Sequence, residues 1–231
     1  MQAEELSKAL AERTDVTVRA FDGPRTEADV PAIPGSDPKG SLTVVGYDTP
    51  AELKDANGAI KTFGVDLQIA NDVDADIIHA HTWYACLAGR LAQQLHEIPL
   101  VITAHSLEPF RPWKREQLGG GYNLSSWAER DAYEHADGII AVSGGMKEDI
   151  LAPYPDVGPD KVHVVYNGIT MDDFATPADD DPAWGVFDRY HIDRSKPTLL
   201  FVGRITRQKG LPYLLQALHF VDKDVQVVLA A

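Results

Sequence analysis

The chain has 231 residues, 44% of them hydrophobic, and a formal charge of −14 from 35 acidic against 21 basic side chains. That length supports one large domain, or one domain and part of another, while the acidity and the lack of a Lys/Arg-rich block exclude nucleic acid and anionic lipid as natural partners. No apolar run reaches the roughly 18 residues of a membrane span, and a single cysteine, Cys86, excludes an intrachain disulfide framework and a multi-cysteine metal site.

The opening, MQAEELSKALAERTD, is charged and amphipathic and lacks the apolar core and cleavage site of a signal peptide, so the default compartment is the cytoplasm. Its Leu6, Ala9 and Leu10 fall at helical spacing, predicting a helix over Gln2 to Arg13. DVTVRAF and LTVVGY read as strands on either side of a Pro/Gly-rich loop from Gly23 to Gly40. Ala51 to Val73 carries an apolar helical face, weakened by Gly58 and Gly64. Asp72, Asp74 and Asp76, like Asp179 to Asp181 further on, read as solvated surface, with adaptation to high salt as the sharper alternative.

A regular alternation follows. DIIHAH, PLVITAH, GIIAVS and VHVVYNG read as strands. Helices are predicted between them over Trp83 to Gln94, Leu124 to His135 and Gly145 to Leu151. Strands alternating with helices imply an α/β fold with a parallel sheet covered on both faces. Thr176 to Lys196 is polar and proline-rich and reads as a linker. TLLFVGR, LPYLLQALHFV and VQVVLAA then restart the βαβ pattern. The domain expectation is 1–175, a linker over 176–196, and the opening of a second α/β domain over 197–231, in which two strands and one helix cannot cover themselves.

Four stretches can carry chemistry. In FVGRITRQKG a strand leads through Gly203 to a turn with Arg204 and Lys209, and through Gly210 to a helix with Pro212 in its first turn. Free N–H groups at that helix start and two flanking cations suit an anionic ligand such as phosphate, against the plain reading of a solvated surface turn. In ITAHSLEPFRPWKREQLGGGY, His105 stands at the C-terminal end of a central strand, where ligand crevices of open α/β sheets lie. Arg111, Trp113, Lys114 and Arg115 follow on a loop running to Gly119–Gly121, suited to a sugar or sugar phosphate or simply exposed. In HAHTWYACLAG, His79 and His81 share one strand face, but no third ligand is visible for a metal. Trp83 and Tyr84 either pack in the core or line a cleft. Ser143 and Asn167 end two further strands at the same edge as His105, and the VSGG context of Ser143 is not a nucleophile elbow.

Together, DIIHAHTWYACLAG, PLVITAHSLEPFRPWKREQLGGGY, LSSWAERDAYEHADGIIAVSGGM, VHVVYNGI and FVGRITRQKG resemble the glycogen synthase and maltose-1-phosphate synthase group of actinobacterial type, within the retaining glycosyltransferase family 4. The resemblance covers nearly the whole chain. SLEPFRPWKREQLGGGY is specific to the subgroup, whereas GRxxxxKG is common to the wider family. It implies the GT-B fold, with an N-terminal Rossmann-like acceptor-side domain and the first βαβ unit of a second Rossmann-like, nucleotide-sugar-binding domain. It also implies transfer of glucose from ADP-glucose or UDP-glucose, with retention, to an α-glucan end or glucose 1-phosphate, with no metal and no cofactor required.

By this resemblance His105, Arg204 and Lys209 are the catalytic residues. Gly203, Arg204, Lys209, Gly210, Asn167 and Ser143 are donor-binding, and Trp83, Tyr84, Arg111, Trp113 and Lys114 acceptor-binding. The family's first strand with its Gly-Gly loop has no counterpart before Met1, nor its later acidic pair before Ala231, so a fragment or split product is expected, with a complementing chain or a homo-oligomer as partner. The alternatives are a non-catalytic fragment of such an enzyme and another family 4 transferase acting on sucrose, trehalose-like or lipid-linked acceptors.

Overall fold

A computed structural model describes residues 2–21, 23, 39–169, 171, 175–178 and 180–231. The chain divides into two compact units, Met1–Ile169 and Thr170–Ala231. Most of the Pro/Gly-rich loop lies outside the described residues. Among the described residues no helix is long and apolar enough to cross a membrane.

The first unit opens with α1 (Gln2–Ala11), whose Lys8 bonds Glu4 and Glu5 one turn away, at 3.1 and 2.8 Å. Strands β1 (Val16–Ala20) and β2 (Leu42–Gly46) pair in parallel, Val16 opposite Leu42, as a separate two-stranded sheet. Helix α2 (Gly58–Asn71) starts where Asn57 Oδ1 accepts the Ala59 N–H at 2.9 Å. Then come β3 (Ile78–His81), α3 (Cys86–His96), β4 (Leu100–Ala104), α4 (Lys114–Leu118), α5 (Gly121–His135), β5 (Gly138–Ala141), α6 (Gly144–Leu151) and β6 (Val162–Val164).

Strands β3 to β6 form a four-stranded parallel sheet in chain order, with Ile78 opposite Leu100, Ile102 opposite Ile139 and Ala141 opposite Val164. Each crossover carries a helix, as parallel pairing requires. The core lies here: Leu100, Ile102 and Ala104 of β4 and Ile139 and Ala141 of β5 are fully buried with Ala132 and Tyr133 of α5 and Ile150 of α6. That two-sided burial is why these strands read as continuous apolar runs. Gly89 lets α3 approach the sheet closely, since a Cβ there would stand 2.8 Å from Leu100 Cδ1 and 3.3 Å from Ala80 Cβ.

The second unit holds α7 (Gly185–Arg189), β7 (Thr198–Val202), α8 (Leu211–Ala217) and β8 (Gln226–Ala230), with β7 and β8 parallel and Thr198 opposite Gln226. Among its described residues only Leu211 is buried. The polar segment read as a linker is tied into this unit: the Gln226 side chain accepts the Asp193 N–H at 3.0 Å and donates to the Asp193 carbonyl at 2.6 Å. Its Arg194 guanidinium stacks 3.8 Å over the Trp184 ring.

Several predicted elements differ in extent. The helices expected from Ala51 and Trp83 begin as 3-10 turns, Ala51–Leu53 and Trp83–Ala85. Gly58 opens α2 rather than weakening it, and at Gly64 a Cβ would meet Leu53 Cδ1 at 2.4 Å, so the glycine serves packing of the turn on the helix. The expected loop after His105 holds a 3-10 turn, Glu108–Phe110, and α4, and α5 starts at Gly121 instead of Leu124. The cause is tertiary: side chains of α5 bind the backbone of Glu108, Glu129 Oε1 accepting its N–H at 2.7 Å and Tyr122 donating to its carbonyl at 2.8 Å.

Candidate functional site

In a parallel sheet every strand delivers its C-terminal end to one edge, the edge that opens on the ligand crevice of α/β folds. His81 closes β3, His105 follows β4, Ser143 follows β5 and Asn167 follows β6. The 3-10 turn after β3 carries Trp83 and Tyr84. Alternation along β3 and β4 places His79, His81, Thr103 and His105 on one sheet face, with His81 opposite Thr103.

These rings touch. His81 Nδ1 lies 3.1 Å from His105 Nε2, the two rings stacked 5.4 Å apart at 13°. His79 packs 4.4 Å from His81 and meets Thr103 Oγ1 through Nε2 at 2.7 Å. Burial lowers the pKa of all three, that of His81 to about 4, with proximity of the other rings adding to the effect on His79 and His81. The cluster is therefore neutral near pH 7. Among the described residues no group of three or more His, Cys, Asp or Glu is placed to hold a metal.

The cations expected on a loop have different fates. Lys114 is 4% exposed and ion-paired at 2.5 Å to Glu108, itself buried. Its ammonium also lies over the rings of Trp83 and Tyr84, at 5.3 and 5.9 Å. The Lys114 charge is thus neutralised within the protein rather than exposed on a loop. Desolvation lowers its pKa, and the bond to Glu108 acts against that.

Arg111 donates to Ser106 Oγ at 3.1 Å, its buried Nε has no partner, and among the described residues it makes no ion pair. Trp83 is buried, while Tyr84 and Trp113 are exposed. Ser143 caps α6 by accepting the Met146 N–H at 3.0 Å, which leaves its own O–H to donate. Asn167 is exposed.

Beneath this edge lies a buried polar network that sequence reasoning missed. Glu108 Oε2 accepts from Ser125 at 2.8 Å. Glu129 Oε1 accepts from Tyr154 at 2.6 Å as well as from the Glu108 backbone. Burial raises Glu129 to about pKa 7, against the lowering effect of those two bonds. The signal was present, because Ser125, Ala128, Glu129 and Ala132 recur at helical spacing on the buried face of α5. Asp66 on α2 is fully buried and neither carboxylate oxygen has a hydrogen-bond partner. Desolvation raises it to about pKa 8, and the Ala88 N–H in the first turn of α3, nearby but short of a hydrogen bond, opposes that only in part.

In the second unit, β7 ends at Val202 and the chain turns at Gly203, whose φ of 152° suits glycine and whose N–H bonds the Ala230 carbonyl at 3.0 Å. Gly210, at φ 71°, precedes α8. Between them Arg204 and Lys209 are exposed and make no ion pair among the described residues. They are spaced by a turn in which the Thr206 N–H bonds the Arg204 carbonyl and the Lys209 N–H the Thr206 carbonyl.

The sequence model of Glycosyltransferase Family 4 matches residues 1–173. The chain is 51% identical over 180 residues to the alpha-maltose-1-phosphate synthase of Mycolicibacterium smegmatis, covering 78% of this chain and 46% of the relative. It is 47% identical over 186 residues to that of Mycobacterium tuberculosis, covering 80% and 48%. The chain thus spans about half the length of these curated relatives.

Among solved structures, HepE of Anabaena in complex with UDP and glucose matches with a TM-score of 0.62 at 18% identity, covering 98% of this chain and 55% of the other. Sucrose-phosphate synthase from Thermosynechococcus elongatus matches with a TM-score of 0.60 at 19% identity, covering 96% and 54%. These likenesses show the fold, two α/β units with parallel sheets of the GT-B type. With half the chain and more under the family model and about half of the aligned residues shared with those relatives, this chain belongs to glycosyltransferase family 4.

Proposed function

We propose that the protein is, or forms part of, a retaining cytoplasmic glucosyltransferase that moves glucose from a nucleotide sugar, ADP-glucose or UDP-glucose, to glucose 1-phosphate or an α-glucan end. The acceptor hydroxyl oxygen forms the new bond to the sugar C1 as the bond from C1 to the diphosphate breaks, the electron pair leaves with the nucleoside diphosphate, and the hydroxyl proton passes to the departing diphosphate oxygen. Negative charge grows on that diphosphate. Arg204 and Lys209, both exposed and uncommitted to any carboxylate among the described residues, are the cations suited to stabilise it. His105 is the contact to the transferred sugar.

On the acceptor side the observation that carries the reading is the unequal state of two cations. Lys114 is neutralised by Glu108, whereas Arg111 keeps its charge and an unpartnered Nε beside the strand edge. Arg111 therefore suits the phosphate of a sugar-phosphate acceptor, with Tyr84 and Trp113 as exposed aromatic surface for sugar rings. The name of the M. smegmatis relative, a maltose-1-phosphate synthase, supports a phosphorylated acceptor over a bare glucan end.

The test uses this chain alone and the same chain joined to the remaining half of the M. smegmatis relative. Each is given ADP-glucose or UDP-glucose with glucose 1-phosphate or with glycogen. The expected product is a disaccharide phosphate, and Arg111→Met should raise KM for glucose 1-phosphate about tenfold while leaving KM for the nucleotide sugar unchanged. No transfer to either acceptor by either chain would refute the transferase reading. An unchanged KM for glucose 1-phosphate in Arg111→Met would refute the phosphate role.

A further inference from the structure

We propose that His81 is a positioning residue for His105, accepting a hydrogen bond from His105 Nε2–H at its own Nδ1, so that His105 meets its ligand through a bare Nδ1 that accepts a hydroxyl hydrogen. The ligand class is then a sugar hydroxyl acting as donor. This deepens, and for its functional meaning rests on, the proposed contact of His105 with the transferred sugar.

Three observations lead there. The rings are held on adjacent strands, with His81 ending β3 and His105 following β4, and their nitrogens stand 3.1 Å apart. His79 is not a competing partner, because its Nε2 is engaged by Thr103 Oγ1 at 2.7 Å while its ring packs on His81. The only hydrogen bond of the His105 ring among the described residues uses Nε2, which leaves Nδ1 without a protein partner there and available to a ligand. Burial lowers all three pKa values, so each ring is neutral near pH 7.

A neutral imidazole has one N–H and one lone pair, so the bond has only two arrangements. If His105 Nε2–H donates, both rings carry their hydrogen on Nε2, the tautomer a free histidine side chain favours. If His81 Nδ1–H donates, both rings are forced into the less favoured Nδ1–H form. The two preferences point the same way and add. His105 thereby becomes a fixed acceptor, a property that its own neighbours in the chain do not confer.

The test is long-range 1H–15N correlation on the uniformly 15N-labelled 231-residue chain at pH 7.5, which separates protonated from bare ring nitrogens without any substrate. Both His81 and His105 are expected as Nε2–H tautomers. A neutral His105 with its hydrogen on Nδ1, or a charged His105 at this pH, would overturn the proposal. His81→Asn keeps an amide oxygen near the vacated Nδ1, so the His105 tautomer should persist. His81→Leu removes the acceptor, and the two His105 nitrogens should move toward averaged shifts.

An unchanged, single His105 tautomer in His81→Leu would equally sink the positioning role. If that variant does not fold, the unsubstituted chain and His81→Asn decide alone, with a changed tautomer in His81→Asn counting against the proposal. Because no turnover is needed, the tautomer can be found as expected while the transferase assay fails, and the two inferences are judged separately.

Discussion

Asp66 offers the sharpest test of the electrostatics. Its carboxyl is fully buried, its oxygens are unpartnered, and its pKa is raised from 3.8 to about 8. A carboxyl with a raised folded pKa holds its proton in the folded state after the unfolded state has lost it. Its contribution is fully favourable below the unfolded pKa and is lost as pH rises toward 8. Each pH unit in that window costs about 1.4 kcal/mol.

From pH 5 to pH 8 the loss comes to about 4 kcal/mol, a large share of the 5–15 kcal/mol that typically holds a domain together. Asp66→Asn cannot ionise and lacks this dependence. Urea unfolding followed by tryptophan fluorescence, to which the buried Trp83 reports from the same unit, should show the variant gaining about 4 kcal/mol on the parent between pH 5 and pH 8. Other titrating groups are common to both proteins and cancel in that difference. A relative gain under about 1 kcal/mol would show that Asp66 ionises almost as freely as in water, and the reasoning from burial would fall.

The remaining expectations are simpler. Lys114→Met strands the Glu108 charge in the interior and should cost about 3–5 kcal/mol in urea unfolding, while a Glu108→Leu/Lys114→Met double variant should cost less than the sum of its parts. Glu129, raised to about pKa 7, loses its favourable contribution as pH rises from its unfolded value near 4.5 through 7, so Glu129→Gln should flatten the fall in stability over that range; an unchanged slope would count against its burial effect. Arg204→Ala and Lys209→Ala should each lower transfer by a complete enzyme about 10²–10³-fold, and because both side chains are exposed neither should shift the thermal midpoint by more than a degree or two. Leu100→Ala, at the centre of the core, should cost about 2–5 kcal/mol by thermal or urea unfolding.

The strand-rich core was open to reading because its physics is local. LVITA and GIIA are nearly continuous apolar runs, broken only by Thr103, as strands covered on both faces tend to be, and the helices between them force parallel pairing. The same alternation places His105 and Ser143 at strand ends from sequence alone, since parallel strands share one C-terminal edge. Helix boundaries were less legible where packing competes with propensity. The turn before α2 is set by Leu53 seating over Gly64, and α5 starts at Gly121 rather than Leu124 because Tyr122 and Glu129 bind Glu108.

By itself, then, the sequence determined the α/β alternation, the parallel pairing, the edge that carries His105 and the turn that carries Arg204 and Lys209. Those follow from periodicity, turn chemistry and the handful of connections that α/β units allow. Only the tertiary structure decided the state of the charges. Lys114 and Arg111 stand three residues apart, yet one is buried against Glu108 and the other keeps its charge. Glu129 and Tyr154 meet across 25 residues, and His81 and His105 across 24. The free energy of a charge or a tautomer depends on solvent and on partners brought from distant chain positions, and local pattern carries no record of either.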